Sequence, residues 1–309
     1  MAQRGGRRPA PGPVIEVVGL TKRRPGGEVL RDVSFHVRRG EIFGIIGPDG
    51  AGKTTTIECV AGVRKPDAGR ISVLGLDPQR HQSRVRQQVG VQLRRERLPK
   101  AIKVGEVLKL FGSGYAHQAN HEDLLIQCGL SETRDLPYSE LTERQQHRLS
   151  IAVALLGNPE IVLLDEFAPV FDPHTRRDIA QLIQRIRERG TTVVLVTRSI
   201  AEAERLCDRI ALLADGRLVA VDTPAGLLSR VDAEQRLRFR PSAPLPERVL
   251  TDLPEVTSVT TTADRTVVVG TADLLLAVTS ALARHRVMAA DLKVEKPNLQ
   301  DVYVALTGG

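Results

Sequence analysis

Aromatic residues are scarce in this chain of 309 residues, which has no Trp, three Tyr and six Phe. A hydrophobic core must therefore be built from Leu, Val, Ile and Ala. The scarcity also argues against single-stranded nucleic acid as a ligand, because proteins that bind it stack bases on aromatic side chains. A net charge of +7 fits nucleic acid, anionic headgroups or polyanionic ligands. The basic residues are scattered along the chain, however, so no nucleic-acid partner is expected.

Cysteine is equally rare, and the chain has only Cys59, Cys128 and Cys207. Their spacing matches no metal-binding motif, and an odd number cannot pair completely within one chain. We therefore expect buried, neutral thiols of a protein in a reducing cytosol.

Long apolar runs are also missing, since none approaches the ~18–20 residues that a membrane span requires. Residues 1–13 are rich in Arg, Gly and Pro but lack the apolar segment of a secretory signal, which predicts a disordered basic tail. The sequence therefore predicts a cytoplasmic protein whose membrane role, if it has one, comes through a partner.

The order of apolar patterns predicts two domains. Residues 14–224 alternate strands with helices, which indicates an α/β core with a largely parallel sheet. Strands are predicted at 14–18, 29–37, 41–46, 89–93, 161–164, 191–196 and 209–213, and helices from 52 or 53, at 179–187 and at 201–207, with a mostly helical subdomain at about 98–157. Residues 234–309 are predicted to form a small α+β domain. Its predicted strands are 236–239, 256–259, 266–269 and 291–294, and its predicted helices are 272–285 and 299–306.

One glycine-rich segment follows a predicted strand and precedes a predicted helix. It matches G-x-x-x-x-G-K-[ST] throughout and reads Gly47-Pro48-Asp49-Gly50-Ala51-Gly52-Lys53-Thr54. Glycines let successive backbone N–H groups turn inward as an anion nest, and the next helix presents its positive end to phosphates. Lys53 is predicted to contact the β- and γ-phosphates, and Thr54 to ligate Mg²⁺. The segment therefore predicts a site for Mg-ATP.

A second segment, residues 161–166, is an apolar strand that ends in Asp165-Glu166. Asp165 is predicted to hold the shell of Mg²⁺. Glu166 is predicted to polarise an attacking water as general base.

These segments resemble the ATP-binding subunits of ABC transporters. Residues 47–55, which include Thr55, are similar to the family's Walker A loop, and residues 163–166 to its Walker B segment. Residues 148–159 resemble the stretch after the signature motif, and residues 202–210 the stretch after the switch histidine. The tail, 298–308, resembles the daunorubicin-resistance type of drug exporter. The resemblance implies a P-loop NTPase fold and a dimer, homo- or heteromeric, that binds ATP and Mg²⁺. It also implies a separate membrane permease.

Several family positions carry other residues here. Arg24 aligns with the aromatic residue under adenine, and Arg94 with the Q-loop glutamine, although Gln92 lies two residues before it. Arg198 aligns with the switch histidine, where it is predicted to hold the γ-phosphate. Of the D-loop, Asp172 remains.

The signature Leu-Ser-Gly-Gly-Gln reads Leu141-Thr142-Glu143-Arg144-Gln145. Thr142 and Gln145 fit a capping box at a helix start. The resemblance implies that this helix start completes the ATP site of a partner subunit. Glu143 would bring a negative charge toward the phosphates there, Arg144 beside it carries a positive one, and the sequence does not fix the net sign.

Three interpretations of these changes remain open. The chain is a slow or hydrolysis-defective ATPase, an active ATPase in which arginines take over the missing roles, or a redundant copy whose sequence drifts neutrally. Retention of Lys53, Thr54, Asp165 and Glu166 favours continued Mg-ATP binding. The function expected is an ATP-binding exporter subunit on the inner face of the membrane, held by its permease through residues 98–157. The alternatives are a regulatory half of a heterodimer and a soluble P-loop regulator without a permease.

Overall fold

A computed structural model describes residues 12–92, 98–165, 172–230, 234–262, 265–271, 273–295 and 298–307. The chain forms two compact units, Met1–Thr223 and Pro224–Gly309. Most of the predicted basic tail, together with Arg94 and Glu166, lies outside the described residues.

The first unit contains two sheets. Its strands are β1 (Ile15–Arg24), β2 (Gly27–Val37), β3 (Ile42–Ile46), β4 (Ala68–Val73), β5 (Val89–Gln92), β6 (Ile161–Asp165), β7 (Thr192–Thr197), β8 (Arg209–Ala214) and β9 (Arg217–Asp222). Its helices are α1 (Lys53–Val60), α2 (Gln82–Gln88), α3 (Val104–Gly112), α4 (His121–Cys128), α5 (Glu143–Leu155), α6 (Pro173–Glu188) and α7 (Ile200–Leu206). Short 3₁₀ turns occur at Ser131–Thr133 and Tyr138–Glu140.

The larger sheet has the strand order β5-β6-β7-β3-β8-β9 among the described residues. All neighbouring strands in it are parallel except β9, which pairs antiparallel with β8. The strands β3, β6 and β7 are buried along their whole length, which explains why each reads as a continuous apolar run. The predicted parallel α/β core is confirmed.

The smaller sheet, β2-β1-β4, is antiparallel. One hydrophobic core joins residues from it, from α1 and from the large sheet, including Leu20, Leu30, Ile57 and Leu163, each at most 1% exposed. The helix that follows the glycine-rich loop is therefore packed within the main core of the unit.

Three helices, α3, α4 and α5, occupy the segment predicted to be mostly helical. Leu108, Leu125 and Leu149 are buried among them. The Asn120 side chain accepts backbone N–H groups at the start of α4, and Gly129 ends that helix in the left-handed conformation (φ 66°). Helix α5 also packs on β5 and β6, so this segment is fixed to the edge of the parallel sheet.

The second unit contains the strands β10 (Gln235–Pro241), β11 (Val256–Thr262), β12 (Arg265–Gly270) and β13 (Ala289–Glu295). Its helices are α8 (Pro224–Leu228), α9 (Arg248–Thr251), α10 (Leu274–Arg284) and α11 (Leu299–Thr307). From β10 to β13 the chain runs β-α-β-β-α-β, and the antiparallel sheet has the order β11-β12-β10-β13. This is the split βαβ arrangement, in which α9 is reduced to a single turn. Leu237, Phe239, Val268 and Leu282 belong to its separate core.

No helix among the residues that the structure describes is both long and apolar enough to span a bilayer.

Candidate nucleotide-binding site

The glycine-rich loop follows β3, and β7 separates β3 from β6. The register pairs Ile46 with Thr197, and Val196 with Asp165. Because all three strands are parallel, their carboxyl ends meet at one edge of the sheet. The loop, Asp165 and Arg198 therefore lie along the same edge, and Arg198 directly follows β7, the strand between the other two.

Two glycines of the loop are required by their surroundings. A Cβ at Gly47 would collide with the carbonyl oxygen of Leu213, and one at Gly52 would meet Leu30 and the carbonyl of Val29. Gly52 also adopts φ +97°, which disfavours any other residue. The two ends of the loop are therefore held tightly against β8 and β2.

Lys53 begins α1 and is only 6% exposed. Its Nζ donates hydrogen bonds to the carbonyl oxygens of Gly47 at 2.8 Å and Pro48 at 2.7 Å. The ammonium group is thus held inside the curve of the loop, next to the positive end of α1, whose first turn carries no acidic residue. This concentration of positive charge and backbone donors fits a polyphosphate.

Asp165 is the last residue of β6 and is fully buried (0% exposed). Its carboxylate and the hydroxyl of half-buried Thr54 are hard oxygen donors, which suit Mg²⁺. Among the described residues, no group of three His, Cys, Asp or Glu side chains could hold a metal ion. The available donors therefore fit a Mg²⁺ ion that takes its remaining ligands from a nucleotide and from water.

Arg198 contacts the glycine-rich loop directly. Its Nη1 lies 3.1 Å from Oδ2 of Asp49, and the Arg198 side chain is 43% exposed. The pair joins the end of β7 to the middle of the loop. Sequence reasoning placed both residues in the site but missed their contact.

Arg24 ends β1 beside α1. Its Nη2 donates a hydrogen bond to Oγ1 of Thr55 at 3.1 Å and lies 3.8 Å from Oε2 of Glu58. Glu58 is shared, because Nε of Arg64 contacts the same oxygen. The guanidinium of Arg24 is therefore anchored to the first two turns of α1, at the side of the phosphate loop.

Comparison with known proteins decides the family. The sequence model of the family described as ABC transporter matches residues 30–168. The Nod factor export ATP-binding protein I of Ralstonia nicotianae is 34% identical over 230 residues, which cover 72% of each chain. A fluoroquinolones export ATP-binding protein of Mycobacterium tuberculosis is 35% identical over 231 residues, covering 74% of this chain and 77% of the relative.

This chain belongs to the ABC transporter ATP-binding family. It is therefore a P-loop NTPase of the ABC ATPase type. The linearmycin resistance ATP-binding protein LnrL of Bacillus subtilis is 29% identical over 307 residues, covering 96% of this chain and 98% of the relative. That similarity extends through the second unit.

Solved structures agree with this assignment. The ATP-binding subunit of an ABC transporter superimposes with a TM-score of 0.64 at 26% identity, covering 70% of this chain and 92% of that one. A dimeric ATP-binding cassette in a post-hydrolysis state, bound to ADP and Pi, gives 0.60 at 26% identity, covering 68% and 98%. The ABC fold, nucleotide binding and ATPase class of this chain rest on these matches.

The signature position of this ABC ATPase forms the start of α5. Thr142 accepts a hydrogen bond from the backbone N–H of Gln145 at 3.3 Å, and Oε1 of Gln145 accepts one from the N–H of Thr142 at 2.9 Å. The predicted capping box is confirmed. Within the described residues, no hydrogen bond or ion pair joins Thr142 or Arg144 to the glycine-rich loop of the same chain.

Arg144 instead contacts a carboxylate on α6. Asp178 Oδ2 lies 3.4 Å from Nη1 of Arg144, 3.6 Å from Nη2 of Arg148 and 3.5 Å from Nδ1 of His174. Sequence reasoning missed Asp178, because its contacts with Arg144 and Arg148 depend on α5 and α6 lying next to each other in the fold. The carboxylate links the start of the signature helix to the helix that follows the D-loop.

The D-loop residue Asp172 caps α6. Its carboxylate accepts the backbone N–H groups of His174 at 2.9 Å and Thr175 at 3.1 Å, and the hydroxyl of Thr175 at 2.6 Å. These hydrogen bonds, above all those from Thr175, lower the pKa of Asp172 to about 2.

An ion pair joins α6 to α7, the helix that follows Arg198. Arg176 Nη1 lies 3.6 Å from Oε1 of Glu202, and Glu202 is only 4% exposed. Burial raises the pKa of the Glu202 carboxyl, and the charge of Arg176 opposes that rise. The helix after the D-loop and the helix after the switch residue are thus connected through a buried carboxylate.

Gln92 does not face the metal side of the site. It pairs with Leu164 in register, so its side chain lies on the sheet face opposite that of Asp165. A Cβ at Gly90, two residues earlier on the same face, would collide with the carbonyl of Ala154 in α5, so this face lies under the helical segment. Gln92 is 5% exposed, and its Oε1 has no hydrogen-bond partner among the described residues. Arg94, which aligns with the Q-loop glutamine, lies outside the described residues, as does the predicted general base Glu166.

Proposed function

We propose that this chain binds Mg-ATP at residues 47–55 and drives a separate permease that exports a drug or natural product. The observation that carries the proposal is the position of the buried Lys53 side chain. Its ammonium group donates hydrogen bonds to the carbonyl oxygens of Gly47 and Pro48, next to the positive end of α1. The export function is supported by relatives named for the export of Nod factor and fluoroquinolones and for linearmycin resistance. The tail at 298–308 supports the daunorubicin-resistance type.

The residues of the site have separable roles in this proposal. Lys53 and the N–H groups at the start of α1 bind the phosphates, while Thr54 and Asp165 hold Mg²⁺. Glu166 orients and deprotonates the attacking water. ATP, when bound, supplies the phosphoryl group that is cleaved.

Two subunits are needed because this chain does not complete its own site. Thr142 and Arg144 serve the partner subunit, where the capped start of α5 faces the phosphates. Dimeric neighbours among the solved cassettes support this arrangement. ATP drives closure only to the extent that it binds the closed dimer more tightly than the open one. The permease is proposed to dock on the helical segment, 98–157, and to hold the chain at the inner face of the membrane.

Domain limits follow from the same proposal. Residues 14–224 form the ABC-type ATP-binding domain, and residues 234–309 form a small α+β domain that affects dimer contacts or regulates the transporter. No nucleic-acid partner is proposed.

Arg198 determines how fast the site turns over. A guanidinium holds phosphate well, often through two hydrogen bonds, but it cannot accept a proton or a hydrogen bond. Arg198 is therefore proposed to exchange the carboxylate of Asp49 for a phosphate while positioning water poorly, so that hydrolysis is weakened.

A second candidate function is a regulatory subunit that binds ATP without hydrolysing it, within a heterodimer. The pair of Arg198 with Asp49 favours it, because the switch residue is already engaged by a carboxylate of the loop at 3.1 Å. Glu143 at the signature position also weakens the site that this chain completes on its partner.

Turnover of Mg-ATP by the purified chain, alone and with its permease, distinguishes the two. Lys53→Ala and Glu166→Gln serve as controls, and ATP binding is measured in parallel. Turnover above both controls establishes a working motor. Tight binding without turnover establishes the regulatory subunit, and failure to bind ATP contradicts both.

A further inference from the structure

The two edges of the sheet in the second unit differ in their protection against pairing with other strands. Edge strand β13 carries Asp291, Lys293 and Glu295. Its pairing with β10 is interrupted by a register shift, and Asp291 adopts a positive φ of 53°. Charges and irregular backbone are the means by which natural sheets prevent their edges from pairing.

The opposite edge, β11, has none of these charges, and its register shift against β12 lies at its start, between Val256 and Ser258. Its seven residues read VTSVTTT, without a charged residue or a proline. Five of the seven are exposed, and only Val256 and Val259 are half-buried. Among the described residues, β12 is the one strand that pairs with β11, so the outer backbone groups of β11 face no other strand.

The sequence of β11 is also nearly the same in both directions about Val259. Ser258 and Thr260 flank it, and Thr257 and Thr261 follow on either side. In an antiparallel pair of two such strands centred on Val259, Ser258 of each copy lies opposite Thr260 of the other, and Thr257 opposite Thr261. Opposed hydroxyl-bearing side chains stabilise strand pairs, whereas like charges destabilise them.

We propose that β11 is an interface between two copies of this chain, which joins their four-stranded sheets across a two-fold axis at Val259. A second copy fits because the edge is uncharged, so identical strands meet without repulsion. Such an interface is isologous and closes as a dimer rather than growing into a filament. The inference goes beyond the proposed transport function, and it requires no nucleotide.

Disulfide cross-linking tests the position of the axis. Opposite residues of an antiparallel pair lie about 4.5–5.5 Å apart at Cα, within the range that a disulfide spans. We expect Val259→Cys in the full chain to oxidise to a covalent dimer without nucleotide. Val294→Cys is the matched control, since Val294 is a partly exposed valine (39%) on the other edge. The three native cysteines are buried and give little background. Equal cross-linking at both edges would overturn the proposal.

A pair of charge variants tests the register independently of cysteine. In Ser258→Lys with Thr260→Lys, each introduced lysine faces a lysine of the other copy. We therefore expect the dissociation constant of the dimer to rise by about tenfold. In Ser258→Lys with Thr260→Glu, each lysine faces a glutamate of the other copy, so the dimer is restored. Ala290→Lys, at an exposed position of β13, should leave dimerisation unchanged.

Sedimentation velocity of the nucleotide-free full chain measures these effects, with ATP binding recorded separately. A wild-type chain that stays monomeric, or two double variants that behave alike, overturns the interface. If the β11 amides become protected from hydrogen exchange only when permease is added, the edge binds another partner. That result also overturns the interface between two copies. Because neither readout requires nucleotide, loss of ATP binding would contradict the proposed function and leave this result intact.

Discussion

Asp49 places a carboxylate within a loop whose other features attract phosphate. In the described structure that charge is balanced by Arg198 at 3.1 Å. The two residues are 149 positions apart in sequence and meet because β3 and β7 are neighbours in the sheet. A phosphate that contacts Arg198 would therefore compete with the carboxylate of Asp49 for that guanidinium.

Replacing Asp49 should improve nucleotide binding. Asp49→Asn keeps the size of the side chain, removes repulsion toward phosphates and releases Arg198. Since exposed ion pairs contribute about 0.2–1 kcal/mol, we expect the Kd for Mg-ATP to fall by about 1.4- to fivefold. Titration calorimetry measures it, with Asp67→Asn as control, because Asp67 pairs with Lys22 away from the loop. An unchanged or weaker affinity would contradict the role given to the pair.

The three thiols should be unreactive in the native protein. Burial raises the pKa of Cys59 to about 11 and that of Cys128 to about 12, and it also raises the pKa of Cys207. Since the thiolate is the reactive form, we expect no labelling by a thiol reagent at neutral pH and three labels in denaturant. Rapid labelling of a native thiol would show that one of them is accessible.

The capped start of α5 contributes to folding apart from its proposed role toward a partner. Thr142→Ala removes the side-chain acceptor for the N–H of Gln145, which should lower the free energy of unfolding by about 1 kcal/mol. Thr142→Ser retains the hydroxyl and should behave like the wild type. Urea unfolding measures both, and equal losses in the two variants would exclude the cap as the cause.

Helix α6 should lose part of its stabilisation in acid. The folded-state pKa of Asp172, about 2, lies below the unfolded value of roughly 3.9. The contribution of the ionised carboxylate is therefore fully present above pH ~4 and disappears as the pH falls through about 2. The difference in unfolding free energy between wild type and Asp172→Asn should shrink over that range. A difference independent of pH would contradict the lowered pKa.

Strands with strong local signals could be predicted from the sequence, including the edge strands β2, β5, β11 and β13, whereas two other edge strands could not. The buried strands β3, β6 and β7 were predicted because they are continuous apolar runs. The edge strands β4 and β9 were missed, since their residues are mostly exposed or half-buried. The sequence nevertheless contains a signal for β9, because Asp215-Gly216 is a dipeptide typical of tight hairpin turns. Both residues adopt positive φ in the turn before β9.

The residues of the candidate site could also be predicted only in part. The phosphate loop, Lys53 and Asp165 could be predicted, because a motif fixes their spacing and context. The contacts of Arg198 with Asp49 and of Arg144 with Asp178 depend on which strands and helices become neighbours. Sequence spacing alone carries no such information.

The second unit has its own core, which permits a test of whether the two units are energetically separate. Phe239 is 1% exposed and packs within that core. Phe239→Ala should destabilise the second unit by about 3–5 kcal/mol while the Kd for Mg-ATP stays unchanged. Hydrogen exchange resolved along the chain measures the stability of each unit. Faster exchange in the ATP-binding unit, or a weaker Kd, would show that the units fold as one.

The ion pair of Arg176 with Glu202 has a consequence for how this protein can evolve. Loss of Arg176 leaves Glu202 without its cation in a site that is only 4% exposed, whereas loss of Glu202 leaves an Arg176 side chain that is 39% exposed to water. A lineage can therefore lose Glu202 first more easily than it can lose Arg176 first. In an alignment of related chains, chains that keep Glu202 without a cation at position 176 should be rare.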